Sequence, residues 1–237
     1  KTLECTHDYW HSRYYDNDET EMKIWDGYDA RAQTDAMKAW LNQQSSETPF
    51  CGVLSWGPPH SPYQTAPEEF KALYDKEKIG LPDNVTADQE QQARECLAGY
   101  YAHCTALDTY FGEIITQLKV MGLSEDTIIL FTSDHGDFIG AHGMYDKQGP
   151  WDESIRIPCL LKAPGIVPAG ENKCIFNLTD FWPSIAGVLG LEIETEVQKN
   201  IQGRDWSPYL KQGTVPEKND GFYGCYHVLG NCPRFKD

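Results

Sequence analysis

The sequence predicts an α/β fold, a mostly parallel sheet flanked by helices, and three observations carry that expectation. Short apolar runs alternate with amphipathic helical stretches, the rhythm of a layered α/β domain. The runs are apolar at successive positions rather than at every second one, which suits strands covered on both faces. The loop richest in Asp, His and Gly begins where the strongest apolar run stops, at the kind of strand end where ligands sit in open α/β sheets.

Residues 1–28 are aromatic and polar with a turn at Asp26-Gly27, and read as an irregular lead-in of loop or short strands. From Asp29 to Gln44, Ala32, Ala36, Ala39 and Trp40 share one face at helical spacing. Phe50 to Trp56 is an apolar run stopped by Gly57-Pro58-Pro59 and reads as a buried strand. Cys51 in this run and Cys159 in a later one read as buried free thiols. A short helix is expected within Pro67 to Asp75. A longer one is expected from Ala87 to Met121, striped by Leu107, Phe111, Ile114, Ile115 and Leu118. Gly99 marks an interruption in it, and Gly122 suits its C-terminal stop.

Thr127 to Thr132 is the strongest strand, and Pro158 to Ala163 is the next, closed by Pro164-Gly165. Asp180 to Leu189 reads as a short helix with Pro183 in its first turn, where the missing N–H is tolerated. After Gly203 no periodicity is visible. The expected organisation is one partial domain: a lead-in over 1–28, an α/β core with the site loops over 29–190, and a loop-rich tail over 191–237.

With 40% apolar and 12% aromatic residues, the 237-residue chain can fill a sizeable core. Its 36 acidic residues against 20 basic ones give a formal charge of −16, which repels nucleic acid at long range and favours a solvated surface. No run of 18 apolar residues offers a membrane span, and KTLECTHDYWHSRYY has no signal-peptide pattern. The eight cysteines form no C-x-x-C pair, so a zinc knuckle or thioredoxin-like motif is not expected. Cys225 and Cys232 are placed to bridge a C-terminal turn.

The chemistry concentrates in Ser133-Asp134-His135-Gly136-Asp137-Phe138-Ile139-Gly140-Ala141-His142-Gly143, followed by Lys147. The glycines permit tight backbone paths and close approach to a ligand. Carboxylates, imidazoles and an ammonium so close together offer metal ligands, an acid–base group and an anion contact. Taken singly, Asp134 also suits a cap or turn, and Lys147 a solvated surface.

FTSDHGDFIGAHGMYDK, followed by WDESIRIPCLLKAPG, resembles the sulfatases of the alkaline phosphatase superfamily. LSWGPPHSPY, AGYYAHCTALD, TDFWPSIAGVLG and GRDWSPYL extend the resemblance in order from about Trp25 to Leu210. The resemblance implies an alkaline-phosphatase-like sheet and hydrolysis of sulfuric esters, with sulfated small molecules or carbohydrates as substrates. It makes Asp134 and His135 ligands of a divalent cation, calcium by family habit, with His135 leaving manganese or zinc open. Lys147 matches the lysine on the sulfate ester, and His60 the histidine on the leaving oxygen. His142 either lines the substrate pocket or hydrogen-bonds within its own loop. Asp137 reads as a loop-stabilising carboxylate, and Glu153 with Arg156 as a structural pair. Relatives of this kind are periplasmic, secreted or lysosomal.

Sulfatases take their nucleophile from C/S-x-P/A-x-R, whose Cys or Ser becomes formylglycine. These residues hold no such motif; Cys232-Pro233-Arg234 has the wrong spacing. The paired aspartates that complete the family's metal site are missing too. The expectation is therefore a sulfatase domain lacking its N-terminal side, with weak metal affinity, no turnover alone, and an exposed sheet edge that favours self-association. Two alternatives remain: a phosphodiesterase or phosphonate-ester hydrolase of the same superfamily, and a degenerate domain that binds sulfated glycans without catalysis.

Overall fold

The computed structural model describes residues 7–17 and 20–218. They form two compact units, one from residues up to Glu125 together with Asp137–Lys147, the other from Asp126–Gly136 together with residues from Gln148 onward.

In the first unit, two short strands, β1 (Arg13–Tyr14) and β2 (Lys23–Ile24), pair antiparallel within the lead-in. Helix α1 (Asp29–Leu41) follows and buries Asp29, Ala30, Gln33, Thr34 and Leu41. It stops three residues before Gln44, because Asn42, Gln43 and Gln44 turn off the helix end through backbone bonds to Lys38, Trp40 and Leu41. A single turn, α2 (Glu68–Lys71), is all that forms of the helix expected within 67–75.

Helix α3 (Glu90–Val120) runs 31 residues without a break. Gly99, expected to interrupt it, lies inside it. A Cβ there would collide with the carbonyl oxygen of Tyr63, so the glycine serves close packing rather than a break. Ala93, Leu97, Gly99, Ala102, His103, Ala106, Leu107 and Tyr110 form its buried face. Ala106, Leu107 and Tyr110 pack with Tyr9, Tyr28 and Ala30, and a second cluster joins Tyr63, Ile79, Leu97 and Ile139. Arg31 and Lys38 of α1 both reach Glu113 of α3, which draws its carboxyl down to about 2.

Phe50 to Trp56 is not a buried strand. It joins no ladder among the described residues; Cys51 is exposed and Val53 is 85% exposed. Apolar composition favours a strand only where a neighbour supplies the other half of each backbone hydrogen bond.

The second unit carries β3 (Ile129–Thr132) and β4 (Cys159–Lys162), paired antiparallel from Ile129↔Lys162 to Thr132↔Cys159. The apolar runs pointed to parallel neighbours, yet both ladders among the described residues are antiparallel. An apolar run records burial, not the direction of its neighbour. Cys159 is exposed rather than buried, and Leu160 is 63% exposed. A single turn, α4 (Asp152–Ile155), sits between the strands in sequence, and Arg156 beyond it meets Asp152 at 3.9 Å on the surface.

Helix α5 (Leu178–Leu189) starts two residues earlier than expected, because the Asn177 N–H donates to Asp180 Oδ2 at 2.8 Å and caps the first turn. Pro183 therefore falls in the second turn. It cannot donate to Thr179 O, and Gly203 packs against that carbonyl, where a Cβ would collide. Asp180, 4% exposed, also accepts from Arg204 N at 2.7 Å and Trp206 Nε1 at 3.0 Å. The tail then forms two helices, α6 (Thr195–Gln198) and α7 (Ser207–Gln212), too short to show a period in sequence. Cys225 and Cys232 lie outside the described residues, and no described helix is long and apolar enough to cross a membrane.

Candidate active site

His60 sits in a proline-rich loop of the first unit that is fixed from below by Tyr9. The Tyr9 hydroxyl, on a side chain 3% exposed, donates to His60 O at 2.8 Å and lies 3.3 Å from Ser61 O. Gly57 lets the loop pass over the Tyr9 ring, which a Cβ would meet at 2.9 Å. The Pro58-Pro59 and Ser61-Pro62 peptide bonds on either side of His60 are cis. His60 Nδ1 lies 2.9 Å from Ser61 O. A carbonyl oxygen only accepts, so the proton is on Nδ1 and the lone pair on Nε2. That lone pair receives Lys147 Nζ at 2.5 Å.

Lys147 ends a loop folded on its own backbone. Phe138 N–H donates to Asp146 O at 2.8 Å, and Gly140 N–H to Met144 O at 2.7 Å. Gly140, Gly143 and four non-glycine residues between Ile139 and Gln148 take positive φ, the bent path that the glycine-rich sequence favours. Asp137 clamps this loop, accepting from Tyr63 OH at 2.7 Å and Ile139 N at 3.2 Å. Burial pushes the Asp137 carboxyl up, against the Tyr63 hydrogen bond that pulls it down.

His142 is exposed at the rim of the same loop. Its N–H donates to Asn84 O at 2.9 Å, and its Nε2 lies 3.0 Å from Asn84 Nδ2. It is held by Asn84, and its ring also meets Phe138 of its own loop edge-on, with centroids 6.5 Å apart. A cavity of about 690 Å³ in this unit is lined by Trp10, His11, Ile24, Trp25, Asp26 and Gly27.

One further side chain joins His60. The His7 ring stacks on it with centroids 4.2 Å apart and planes 25° from parallel. Burial lowers the His7 pKa, helped by His60 and Lys147 and opposed by Asp146. Nothing in the spacing of the lead-in marked His7, because its partners lie 53 and 140 residues further along the chain.

In the second unit, Asp134 and His135 leave the end of β3. Asp134 Oδ1 accepts from the His135 N–H at 3.0 Å, and Ser133 Oγ donates to His135 O at 2.8 Å. His135 Nδ1 lies 2.7 Å from Gly136 O, which places the proton on Nδ1 and turns Nε2 toward Asp134 Oδ2, 3.6 Å away. Gly136 donates to Ser154 O at 2.8 Å and packs on Glu153 O, where a Cβ would collide. The carboxylate suits a hard cation such as calcium, whereas the imidazole nitrogen suits zinc or manganese. The pair does not complete a cation site, since no three His, Cys, Asp or Glu side chains among the described residues group around a common point.

A family model, that of the sulfatases, matches residues 4–191. The chain belongs to the sulfatase family. It is 40% identical over 219 residues to an ulvan-active sulfatase of Formosa agariphila, covering 89% of this chain and 42% of that protein. It is 29% identical to an endo-4-O-sulfatase of Bacteroides thetaiotaomicron, over 70% of this chain and 34% of that one. Among solved structures, yidJ of Bacteroides fragilis superposes with a TM-score of 0.81 at 26% identity, over 88% of this chain and 47% of the other. The chain thus spans less than half the length of each of these proteins. The likeness to sulfatase structures gives the α/β fold its alkaline-phosphatase-like class. The sulfatase match takes in His7, His60, Asp134, His135 and His142 together with Lys147.

Proposed function

We propose that the whole protein of which these residues are part hydrolyses sulfuric esters of carbohydrates, and that this chain supplies the leaving-group side of the site. The observation that carries the reading is the Lys147–His60 contact at 2.5 Å within a sulfatase-family chain. Lys147 brings a fixed positive charge to the non-bridging sulfate oxygens. The His60 Nε2 lone pair takes one ammonium N–H of Lys147, which leaves the other N–H bonds to hydrogen-bond the sugar oxygen as the S–O bond breaks. Tyr9 fixes the His60 backbone, and Ser61 O keeps the imidazole from turning away. The nucleophile of this reading is a formylglycine carried by other residues of the whole protein. A divalent cation, calcium by preference, would rest partly on Asp134 and His135 and would supply Lewis-acid charge where it is held. The ulvan-active relative supports a sulfated polysaccharide as substrate class.

The test is an assay of the whole protein on matched sulfate, phosphate and phosphonate esters of 4-nitrophenol and on sulfated oligosaccharides. Preference for sulfate by at least about a hundredfold in kcat/KM is expected; faster phosphonate cleavage would reject the reading. The 237-residue chain alone is expected to release no 4-nitrophenol. Because a calcium site needs about six to eight oxygen ligands, the chain should bind calcium no more tightly than about millimolar. Calorimetry that found micromolar binding would remove the two-donor account.

A further inference from the structure

His7 stands apart from the quoted motifs, yet its ring lies against the imidazole that meets Lys147. The stack is close, with centroids at 4.2 Å and planes 25° apart. His7 also takes a left-handed backbone, with φ at 51°, which non-glycine residues adopt uncommonly. Such a conformation persists where the surrounding structure holds a side chain in place.

The His60 ring nitrogens are held through Nδ1, 2.9 Å from Ser61 O and 3.3 Å from Ser61 Oγ, and through Nε2, 2.5 Å from Lys147 Nζ. A ring flip would exchange nitrogens for carbons and lose both. In-plane hydrogen bonds resist tilting only as far as their angular tolerance, so a face contact adds restraint they lack. Burial first, then His60 and Lys147, disfavour the cationic form of His7, while Asp146 favours it.

We propose that His7 is a positioning residue: its ring, laid on His60, keeps the Nε2 lone pair aimed at Lys147 and covers one face of that contact. Its effect on turnover rests on the ester-hydrolase reading above. Its effect on the His60 tautomer is a property of this chain alone.

The experiment pairs the two. Long-range proton–nitrogen spectra of the 15N-labelled chain, with the His60 signals assigned by their loss in His60→Gln, report which nitrogen carries the proton. The Nδ1–H form is expected to dominate from pH 7 to 9. His7→Ala should shift the His60 signals toward a mixture of tautomers, and His7→Phe, which keeps a ring on the same face, should restore them. In the whole protein, His7→Ala should lower kcat by about tenfold to a hundredfold with KM nearly unchanged, and His7→Phe should recover most of that loss. Unchanged His60 signals in His7→Ala overturn the proposal, as does a His7→Phe variant no better than His7→Ala. If the His103 signals in the core collapse together with those of His60, the role is plain folding support and the proposal also fails. If the tautomer responds as expected while the whole protein cleaves no sulfate, His7 keeps its role and the sulfatase reading falls.

Discussion

Lys147 Nζ lies 2.5 Å from His60 Nε2, although the two residues are 87 positions apart. The contact needs an unprotonated Nε2, and Ser61 O favours that by accepting a hydrogen bond from Nδ1–H. The two side chains therefore act as one unit, and their removal should not be additive. In the whole protein, Lys147→Ala is expected to lower kcat/KM by about 10²–10³-fold. Adding His60→Ala should lower it little further. Arginine at 147 should rescue poorly, because a planar fork does not replace a compact ammonium. Steady-state kinetics of the two single variants and the double variant decide this; losses that multiply would show independent groups.

Gly136 should tolerate substitution far less than Gly143, although both sit in the same motif. A Cβ at 136 would run into Glu153 O, whereas at 143 nothing lies within 4 Å and only the φ of +72° opposes a side chain. Gly136→Ala is expected to cost about 1–3 kcal/mol and to displace Asp134 and His135. Gly143→Ala should cost about 1 kcal/mol. Urea unfolding of both variants separates them, and equal midpoints would remove the packing argument.

Those two glycines show what could be read from the sequence alone. The motif announced a tight loop after the strongest strand, and the loop is there; helices α1 and α3 lie where their spacing put them, but α1 buries Asp29, Ala30, Gln33, Thr34 and Leu41 and leaves Ala36 and Ala39 of the expected stripe exposed. What failed was long-range. Phe50 to Trp56 looked like a strand because its composition says nothing about whether a neighbour is present, and β3 pairs antiparallel because apolar runs carry no direction. Gly99 looked like a break because the oxygen it admits belongs to Tyr63, far along the chain. Within the candidate site, the motif nominated His60 and Lys147, and the structure adds His7, which only the fold brings to them.

Asp29 and His103, both buried, should oppose one another as the pH falls. Burial raises the Asp29 carboxyl from 3.8 to about 6, so its charge costs stability above pH 6, and that cost fades between pH 6 and 3.8. Burial lowers His103 from 6.5 to about 4, so stability is lost as the pH falls from 6.5 through 4. Each shift corresponds to about 3 kcal/mol. Asp29→Asn removes the first effect and exposes the second. Its advantage over the parent at pH 7 should shrink by about 2–3 kcal/mol by pH 4. Urea midpoints at pH 7, 5.5 and 4 check the sign, and parallel profiles for the two proteins would refute it.

The second unit should make this chain self-associate. A sheet of two strands, β3 and β4, leaves an outer edge on each with no ladder partner among the described residues. Unpaired edges recruit other strands unless charge or a covering element blocks them. On β4 the sequence is Cys159-Leu160-Leu161-Lys162, with Leu160 63% exposed and Cys159 exposed beside it. Light scattering on the reduced 237-residue chain is expected to show mass rising with concentration over tens of micromolar, as a rough range for weak edge pairing. Leu160→Lys places a charge on the strand and should return the chain toward a monomer without lowering its unfolding midpoint by more than about 0.5 kcal/mol, as for a surface change. Reduction excludes disulfide linkage through Cys159 as the cause, and a parent chain that stayed monomeric across that range would show that the β4 edge is already satisfied.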